Sequence, residues 1–249
     1  MILRRVIKHV RNQEWTAVFL DFIIVVVGIL IAFQITNWSE GRNDKAEYAR
    51  ALDRLHIETT TNLAALDALD TAVDRSLKTT KYAFDVLQTC IENEENQNTV
   101  STGLMNITGT WGIHLRHNAL EDLTSNSRLL AQQSTLERQR FADMLFYFDL
   151  LLSEAKYSER LPLEERVQNN PIISVGKMEG RNSEYFGVEY SSAHRQLVLN
   201  VPLDVACKNN QLIKSFYTWE RWQTSIPVFS RQLRKEIEAT QVQIQEITP

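Results

Sequence analysis

Two histidines are the first residues of this sequence whose type and spacing could bind a metal. His114 and His117 stand three positions apart in the stretch Trp111–His117. Imidazole is a common zinc ligand, but zinc sites in proteins take three or four protein ligands in a fixed geometry. No third ligand lies nearby, and the segment is predicted as a loop. We therefore expect surface placement of both histidines, with no metal site and no cofactor.

Recognisable catalytic motifs are also missing. An enzyme requires a clustered nucleophile, base or metal set. The sequence contains no G-x-S-x-G, no H-E-x-x-H, no P-loop and no Gly-rich dinucleotide turn. A net charge of −4 and a pI near 5.8 provide no basic patch, which disfavours a nucleic-acid partner. We expect no catalytic residues and a protein that is not an enzyme.

The only two cysteines could form a disulfide. Cys90 lies at the predicted end of a first long helix, and Cys207 lies just before the last helix. If these two helices pack antiparallel, both residues stand at the same end of the bundle, where an oxidising compartment would allow a bond. Two separate buried thiols are the alternative. In the chain-entropy model, closing a loop of this size stabilises a fold by roughly 4–5 kcal/mol.

One acidic residue lies inside a long apolar stretch. From Trp15 to Ile35 the chain reads WTAVFLDFIIVVVGILIAFQI, and Asp21 is its only charged residue. At ~1.5 Å per residue this stretch makes a helix of about 31 Å, which matches the hydrocarbon core of a bilayer. The sequence therefore predicts a transmembrane helix over residues 15–38. Trp15 and Trp38 bound it as interface anchors, because their rings favour the headgroup regions of the bilayer.

A cleaved signal peptide is the alternative to this anchor. The apolar run is longer than the usual h-region of roughly 7–15 residues and is not followed by a small-residue cleavage site, so we favour an uncleaved span. Residues 1–14 form a short basic amphipathic segment suited to a membrane surface. The charges after the span balance out. The positive-inside rule therefore predicts a cytoplasmic N-terminus and an extracytoplasmic location for residues 39–249.

The acidic residue of the span shares one helical face with small residues. Small residues let two helices approach closely, and a carboxyl group in hydrocarbon needs a partner or water. We interpret the face as a contact with a second copy or with another membrane protein. A lipid-facing tether and, less favoured, a proton or ion pathway are the alternatives. The face consists of Ala17, Asp21, Val25, Gly28, Ala32 and Ile35.

Two long helices are predicted after the span. Apolar residues recur at spacings of three and four over residues 39–92, which indicates an amphipathic helix, possibly continuous with the span, with Gly41 as the expected interruption. A heptad-like seam from Leu212 onward predicts the last helix, with Trp219 and Trp222 on its apolar side and a kink at Pro227. We expect the two helices to pack antiparallel.

Shorter elements are predicted between them. The capping box Ser134–Glu137 predicts the start of a helix that ends near Arg160, and Asn118 is the predicted N-cap of a short helix. Prolines and glycines over residues 162–208 predict an irregular insert or a β-hairpin. The hairpin strands are predicted at 184–190 and 196–201. The fold class is therefore mainly α, namely a transmembrane helix followed by an extracytoplasmic bundle of long antiparallel helices with a small insert.

The span also resembles a known family. Asp21, the core from Ile24 to Ala32 and the exit from Thr36 to Glu40 are similar to a family of bacterial single-span membrane proteins of unknown function, whose members carry an acidic-VVxGILIA-NNWNE-like motif. The stretch 119–125, with Leu136 and residues 140–147 beyond it, resembles the second block of that family. The resemblance implies an inner-membrane protein with a helical periplasmic domain. It implies no activity and no catalytic residue.

Two functions suit this organisation. The first is a membrane-anchored periplasmic interaction module, acting as a scaffold, an assembly factor or an accessory subunit of a membrane complex. The second is a periplasmic sensor that binds a small ligand between its helices and passes a shift through the span to a partner. We expect the bilayer and either a second copy or another membrane protein as partners. The shortness of segment 1–14 favours the first function.

Overall fold

A computed structural model describes residues 15–185 and 188–247, and of residues 15, 17, 179, 181–185 and 188–190 it describes the backbone only. The predicted basic segment 1–14 lies outside the described residues. Within them, the chain is mainly α-helical and contains one two-stranded antiparallel hairpin. The predicted fold class, with a long apolar N-terminal helix followed by a helical region and a small hairpin, is confirmed.

The first helix, α1, is the longest element and covers Trp15–Thr89 without a break. At ~1.5 Å per residue it is about 112 Å long. The expected interruption at Gly41 is absent, so the predicted helix over 39–92 is continuous with the span. Cys90 follows α1 with a φ of 54°, the left-handed conformation that commonly ends a helix. Its N–H still donates to the Val86 carbonyl at 3.1 Å.

The other elements are shorter. The helices are α2 (Glu94–Asn106), α3 (Asn118–Ser125), α4 (Ser127–Gln132), α5 (Thr135–Arg160), α6 (Leu203–Ala206), α7 (Asn210–Gln223) and α8 (Ile226–Ile247). Two 3-10 turns, Leu161–Leu163 and Val167–Asn169, follow α5. Strands β1 (Ile173–Tyr185) and β2 (Val188–Leu199) form the hairpin. The predicted insert over 162–208 therefore contains these turns, the hairpin and α6.

Local and long-range contacts both cap the helices. The capping box is confirmed, because Ser134 and Glu137 exchange both hydrogen bonds at the start of α5, and α5 ends at the predicted Arg160. The predicted N-cap Asn118 is wrong, since that residue is already part of α3. A carboxylate from α1 caps this helix instead: Glu58 Oε2 accepts the Ala119 N–H at 3.0 Å.

The last helix is divided in two, where a single kinked helix was predicted. α7 ends at Gln223, and Ser225 uses its carbonyl to accept the N–H groups of Val228 and Phe229 as α8 begins. Pro227 is the second residue of α8. Proline in a first helical turn has no intrahelical hydrogen bond to lose, so it is compatible with a helix start.

α8 lies antiparallel to both α1 and α5. Arg234 pairs with Asp67 of α1 at 2.7 Å, and Gln241, farther along α8, contacts Thr59, which comes earlier in α1. On α5, Ser158 contacts the segment before α8, whereas Arg140 contacts Glu236 within it. α1 and α5 therefore run parallel, and the C-terminal end of α8 returns toward the span, as antiparallel packing predicted.

Two apolar clusters form the core. The cluster nearer the span joins α1, α3, α4, α5 and α8, and the distal cluster joins α1, α2, α6, α7 and the hairpin base. Each fully buried large apolar side chain stabilises the fold by about 1.5–3 kcal/mol. The first cluster includes Leu55, Leu66, Phe141, Phe148, Leu233 and Ile237, and the second includes Leu87, Leu104, Leu203, Phe216 and Trp219.

The hairpin differs from the strands that were predicted. β1 begins at Ile173, which pairs with Leu199, so the predicted strand bounds of 184–190 and 196–201 are wrong. The base of the hairpin is fixed by packing: Ile173 and Leu197 are buried in the distal cluster. In addition, Met105 Sδ of α2 accepts the Leu197 N–H at 3.1 Å. These contacts hold the base of the hairpin against α2.

Candidate interaction surfaces

α1 carries one stretch that is long and apolar enough to span a membrane, near the N-terminus. None of its most apolar window is buried against the rest of the protein. Large side chains are exposed on every side of this stretch, among them Phe19, Ile24, Ile29 and Phe33. An apolar surface that surrounds a helix needs a hydrocarbon environment. The structure therefore contains one candidate membrane helix.

The predicted contact face lies on this exposed stretch. Asp21 is partly exposed, and a Cβ added at Gly28 would meet no atom within 4 Å. Ala17 continues the face in sequence, but its side chain lies outside the described atoms. The face is therefore open to a second helix, while the contact itself stays a prediction. The other members, all exposed, are Val25, Ala32 and Ile35.

Trp38 lies at the end of the apolar stretch. Its side chain is 65% exposed, and the Arg42 guanidinium lies 5.1 Å from the centre of its ring. An indole ring with an arginine one turn farther from the apolar core is typical of a membrane edge. The side chain of Trp15 lies outside the described atoms, so its role as the second anchor stays a prediction.

Between the membrane stretch and the bundle, α1 runs alone. We call residues 39–47 the neck. None of its residues is buried, and Tyr48, with 8% of its surface exposed, is the first buried residue among the described side chains of α1. At ~1.5 Å per residue the neck is about 13 Å long. An unpacked helical segment therefore separates the bundle from the end of the apolar stretch while remaining part of the same helix.

The bundle begins with a hydrogen bond between α1 and α5. Tyr48 Oη donates to Glu137 Oε1 at 2.7 Å. Burial, together with this bond, raises the pKa of Tyr48. Burial also acts to raise the pKa of Glu137, but hydrogen bonds from Ser134 and Tyr48 outweigh it and hold that pKa below its usual value. Glu137 is therefore an ionised carboxylate that joins the first turn of α5 to α1.

A buried ion pair connects α5 to α8 near the same end. The Arg140 guanidinium contacts the Glu236 carboxylate, whose side chain is 8% exposed, and also donates to Thr240 Oγ1 at 3.0 Å. Sequence reasoning did not identify this pair or the bond between Tyr48 and Glu137. Glu137 and Glu236 each stand at a position where the helical repeat predicts an apolar side chain. This mismatch is the sequence signal from which the two contacts could have been predicted.

The far end of α1 carries the predicted cysteine pair. Cys90 directly follows α1 and Cys207 directly follows α6. Their Cα atoms are 5.8 Å apart, which is disulfide distance, and 117 positions separate them in sequence. The Glu92 carboxylate reinforces this junction by accepting the Leu203 N–H. The prediction that the two helix ends meet is confirmed.

The two histidines have separate carboxylate neighbours. His114 Nε2 lies 3.6 Å from Glu159, and His117 Nε2 lies 3.2 Å from Glu121 of α3, the helix that begins at the next residue. Among residues 15–185 and 188–247, no group of three or more His, Cys, Asp or Glu side chains could hold a metal ion. The structure does not bring His114 and His117 together with a third ligand.

The chain was compared with family models, curated proteins and solved structures. No family model matches the sequence. No curated protein and no solved structure matches it either. The resemblance of the span to the bacterial single-span family therefore stays a prediction.

Proposed function

We propose that this chain is a membrane-anchored helical interaction module, held on the periplasmic side of a bacterial inner membrane as a scaffold, an assembly factor or an accessory subunit of a membrane complex. One observation carries the proposal: α1 continues without a break from an exposed apolar stretch into the buried core of the bundle. Such a helix anchors the bundle and presents it at a fixed height. The module acts by binding and not by catalysis.

The chemistry of the span supports contact with another membrane protein. A carboxylate near the centre of a membrane helix costs about 2.5–3.5 kcal/mol on insertion scales, unless a partner or the interface accommodates it. Asp21 lies about 9 Å from Trp15 along the helix axis. Gly28 and Ala32 stand on the same face and present no bulk to an approaching helix. A second helix on this face would shield the carboxyl group from lipid.

The basic residues before the span support the orientation. Arg4, Arg5, Lys8 and Arg11 precede it, with Glu14 as the only acidic residue there. A cytoplasmic N-terminus follows from the positive-inside rule. The bundle would then lie in the periplasm, an oxidising compartment in which the pair of Cys90 and Cys207 would be bonded.

The test is the mass and composition of the complex extracted in mild detergent from native cells at the natural expression level. We expect a second protein in stoichiometric amount. Asp21→Leu and Gly28→Leu should lower its recovery several-fold, since they remove the carboxyl group or block close approach. Leu30→Phe adds bulk on the opposite side of the helix and should leave recovery unchanged. A chain recovered alone, or equal losses for all three variants, would contradict the proposal.

A periplasmic sensor is the second candidate. The same continuity of α1 favours it, because a shift among the bundle helices would pass along one helix to the span. A homo-oligomer recovered without other subunits, together with a small molecule retained on purification, would support the sensor over the accessory subunit.

A further inference from the structure

Three aromatic side chains reach the surface where α5 ends and α7 passes it. Tyr157 of α5 is 45% exposed and Tyr217 of α7 is 51% exposed. Trp222 is partly exposed, and its ring meets that of Tyr157 edge to face, with the ring centres 5.4 Å apart. On α5, Tyr157 stands on the side of the helix opposite the buried Phe148. Tyr157 and Tyr217 therefore belong to the surface, and Trp222 lies at the edge of the core beside them.

Two guanidinium groups lie over these rings. The Cζ atom of Arg160 is 6.0 Å from the ring centre of Tyr157, and that of Arg221 is 5.6 Å from the ring centre of Trp222. Arg221 also donates to Tyr217 Oη at 3.3 Å. Both arginines remain exposed to solvent. We call Tyr157, Arg160, Tyr217, Arg221 and Trp222 the aromatic–arginine surface.

The positive charge of this surface is weakly compensated. Arg160 lies 3.7 Å from Glu164, but both side chains are more than half exposed, so solvent screens the pair. The described side-chain contacts of Arg221 are the Tyr217 hydroxyl and the Trp222 ring, neither of which is acidic. Lys214 lies on the same face of α7 but lines a groove together with Glu164 and Glu165, so it adds no uncompensated charge. Arg221 is therefore the cation of this surface that has no acidic contact among the described side chains. Charge complementarity therefore favours an acidic partner.

The height of the surface excludes the headgroups of the anchoring membrane. Tyr48 and Glu137 lie at the same level, and α5 rises parallel to α1 from there. Tyr157 is then about 30 Å above Tyr48 and about 45 Å beyond Trp38, at ~1.5 Å per residue. The headgroup layer of a bilayer is only about 5–8 Å deep. An anionic lipid of this membrane cannot reach Arg160 or Arg221, whereas another extracytoplasmic protein can.

The composition of the surface is that of a protein-binding site. Tyrosine, tryptophan and arginine are the residues most enriched at the energetic centres of protein interfaces. Stacking on an aromatic ring pre-orders a guanidinium, so less side-chain freedom is lost when its N–H groups bind a carboxylate in bidentate geometry. Apolar side chains of a partner would pack against Tyr217 and Trp222. The surface thus provides both the charge and the apolar contact that a stable interface needs.

We propose that the aromatic–arginine surface binds an acidic, partly apolar segment of another extracytoplasmic protein. This inference rests on the interaction-module function and names the surface that would carry it. Asp or Glu side chains of the partner bind Arg160 and Arg221, and its apolar side chains cover the exposed rings.

The first test reverses the charge of the surface in the full chain. The complex is isolated from native cells for the wild type and for Arg160→Glu/Arg221→Glu. We expect recovery of the partner to fall about tenfold or more, which corresponds to about 1.4 kcal/mol. The matched control is Arg75→Glu/Lys235→Glu, which makes the same charge change at two exposed positions on α1 and α8. Circular dichroism of each variant is the control that checks that the helical bundle is still folded.

The second test reports the chemistry of the partner directly. In Arg221→Lys, a carbodiimide joins the new amine only to a carboxylate in contact with it. We expect mass spectrometry to find position 221 linked to an Asp or Glu of the recovered partner. Arg75→Lys, treated in the same way, should give no such link.

The outcomes separate the two proposals. A partner recovered equally with the wild type and the charge-reversed variant would overturn the aromatic–arginine surface while leaving the interaction module intact. A wild-type chain recovered alone would overturn both. Anionic lipid that co-purifies with the wild type, in place of a protein, and is lost on charge reversal would also overturn the protein partner.

Discussion

The methyl group of Ala83 on α1 packs directly against Gly103 on α2. A Cβ added at Gly103 would collide with that methyl group and would stand 3.0 Å from the ring of Phe216. Ala83 is fully buried. The absence of a side chain at position 103 therefore lets α1 and α2 approach closely. On α1 this contact lies about two helical turns before Cys90.

We expect Gly103→Ala to destabilise the bundle. Alanine favours a helix over glycine by about 1 kcal/mol, whereas overpacking a core typically costs 1–3 kcal/mol, so the net loss should be up to about 2 kcal/mol. The measurement is the free energy of unfolding of the full chain in detergent. Gly41→Ala is the matched control, because Gly41 is also helical but has no atom within 4 Å of an added Cβ. Equal stability of the two variants would contradict the packing described.

Contacts within one helical turn were predictable from the sequence, whereas most contacts between distant residues were not. The capping box was found because Ser134 and Glu137 lie three positions apart and bond each other. The cap of α3 was missed because Glu58 reaches it from another helix. Likewise, Ile173 begins β1 and packs in the distal cluster, although the run Ile172–Val175, rich in β-branched residues, is too short to indicate by itself which residues pair with it.

The cysteine pair was predictable for a different reason. The predicted lengths of the first and last helices place Cys90 and Cys207 at the same end of any antiparallel arrangement, so their proximity follows from topology. The aromatic–arginine surface was not predictable in this way. Trp222 has the spacing of a core residue, but the core of α7 is centred on Phe216 and Trp219, and Trp222 lies at its edge against Tyr157.

Tyr48→Phe should destabilise the base of the bundle and change its response to acid. Loss of a hydrogen bond to a buried, charged group costs about 1.5–3 kcal/mol. Because the pKa of folded Glu137 lies below its usual value of 4.5, the stabilisation it provides is complete above that value and is lost as the pH falls through the folded pKa. Removing the Tyr48 hydroxyl raises this folded pKa.

The free energy of unfolding should therefore differ most between Tyr48→Phe and the wild type near neutral pH, and the two should converge in acid. Tyr82→Phe, at an exposed position of α1, is the control and should follow the wild type throughout. A constant difference between Tyr48→Phe and the wild type at every pH would show that Glu137 ionisation is not involved.

Reduction should lower the thermal stability of the wild type to that of Cys90→Ser/Cys207→Ser. A cross-link between positions separated by 117 residues stabilises by roughly 4–5 kcal/mol in the chain-entropy model, and strain in the native state can reduce this value. The melting temperature of the serine variant should not respond to reductant. Labelling of both thiols in unfolded, unreduced protein would rule out the bond.

The number of residues in the neck sets how the bundle is rotated about the axis of α1 relative to the apolar stretch. Because α1 turns about 100° per residue, one residue inserted between positions 39 and 47 would swing Arg221 by about 100° relative to Asp21, whereas seven residues would return it to within about 20°. A partner that contacts both Asp21 and Arg221 therefore requires one particular rotation of the bundle relative to the apolar stretch. The length of the neck thus fixes the orientation of the bundle surface relative to the Asp21 face, although none of the neck side chains is buried.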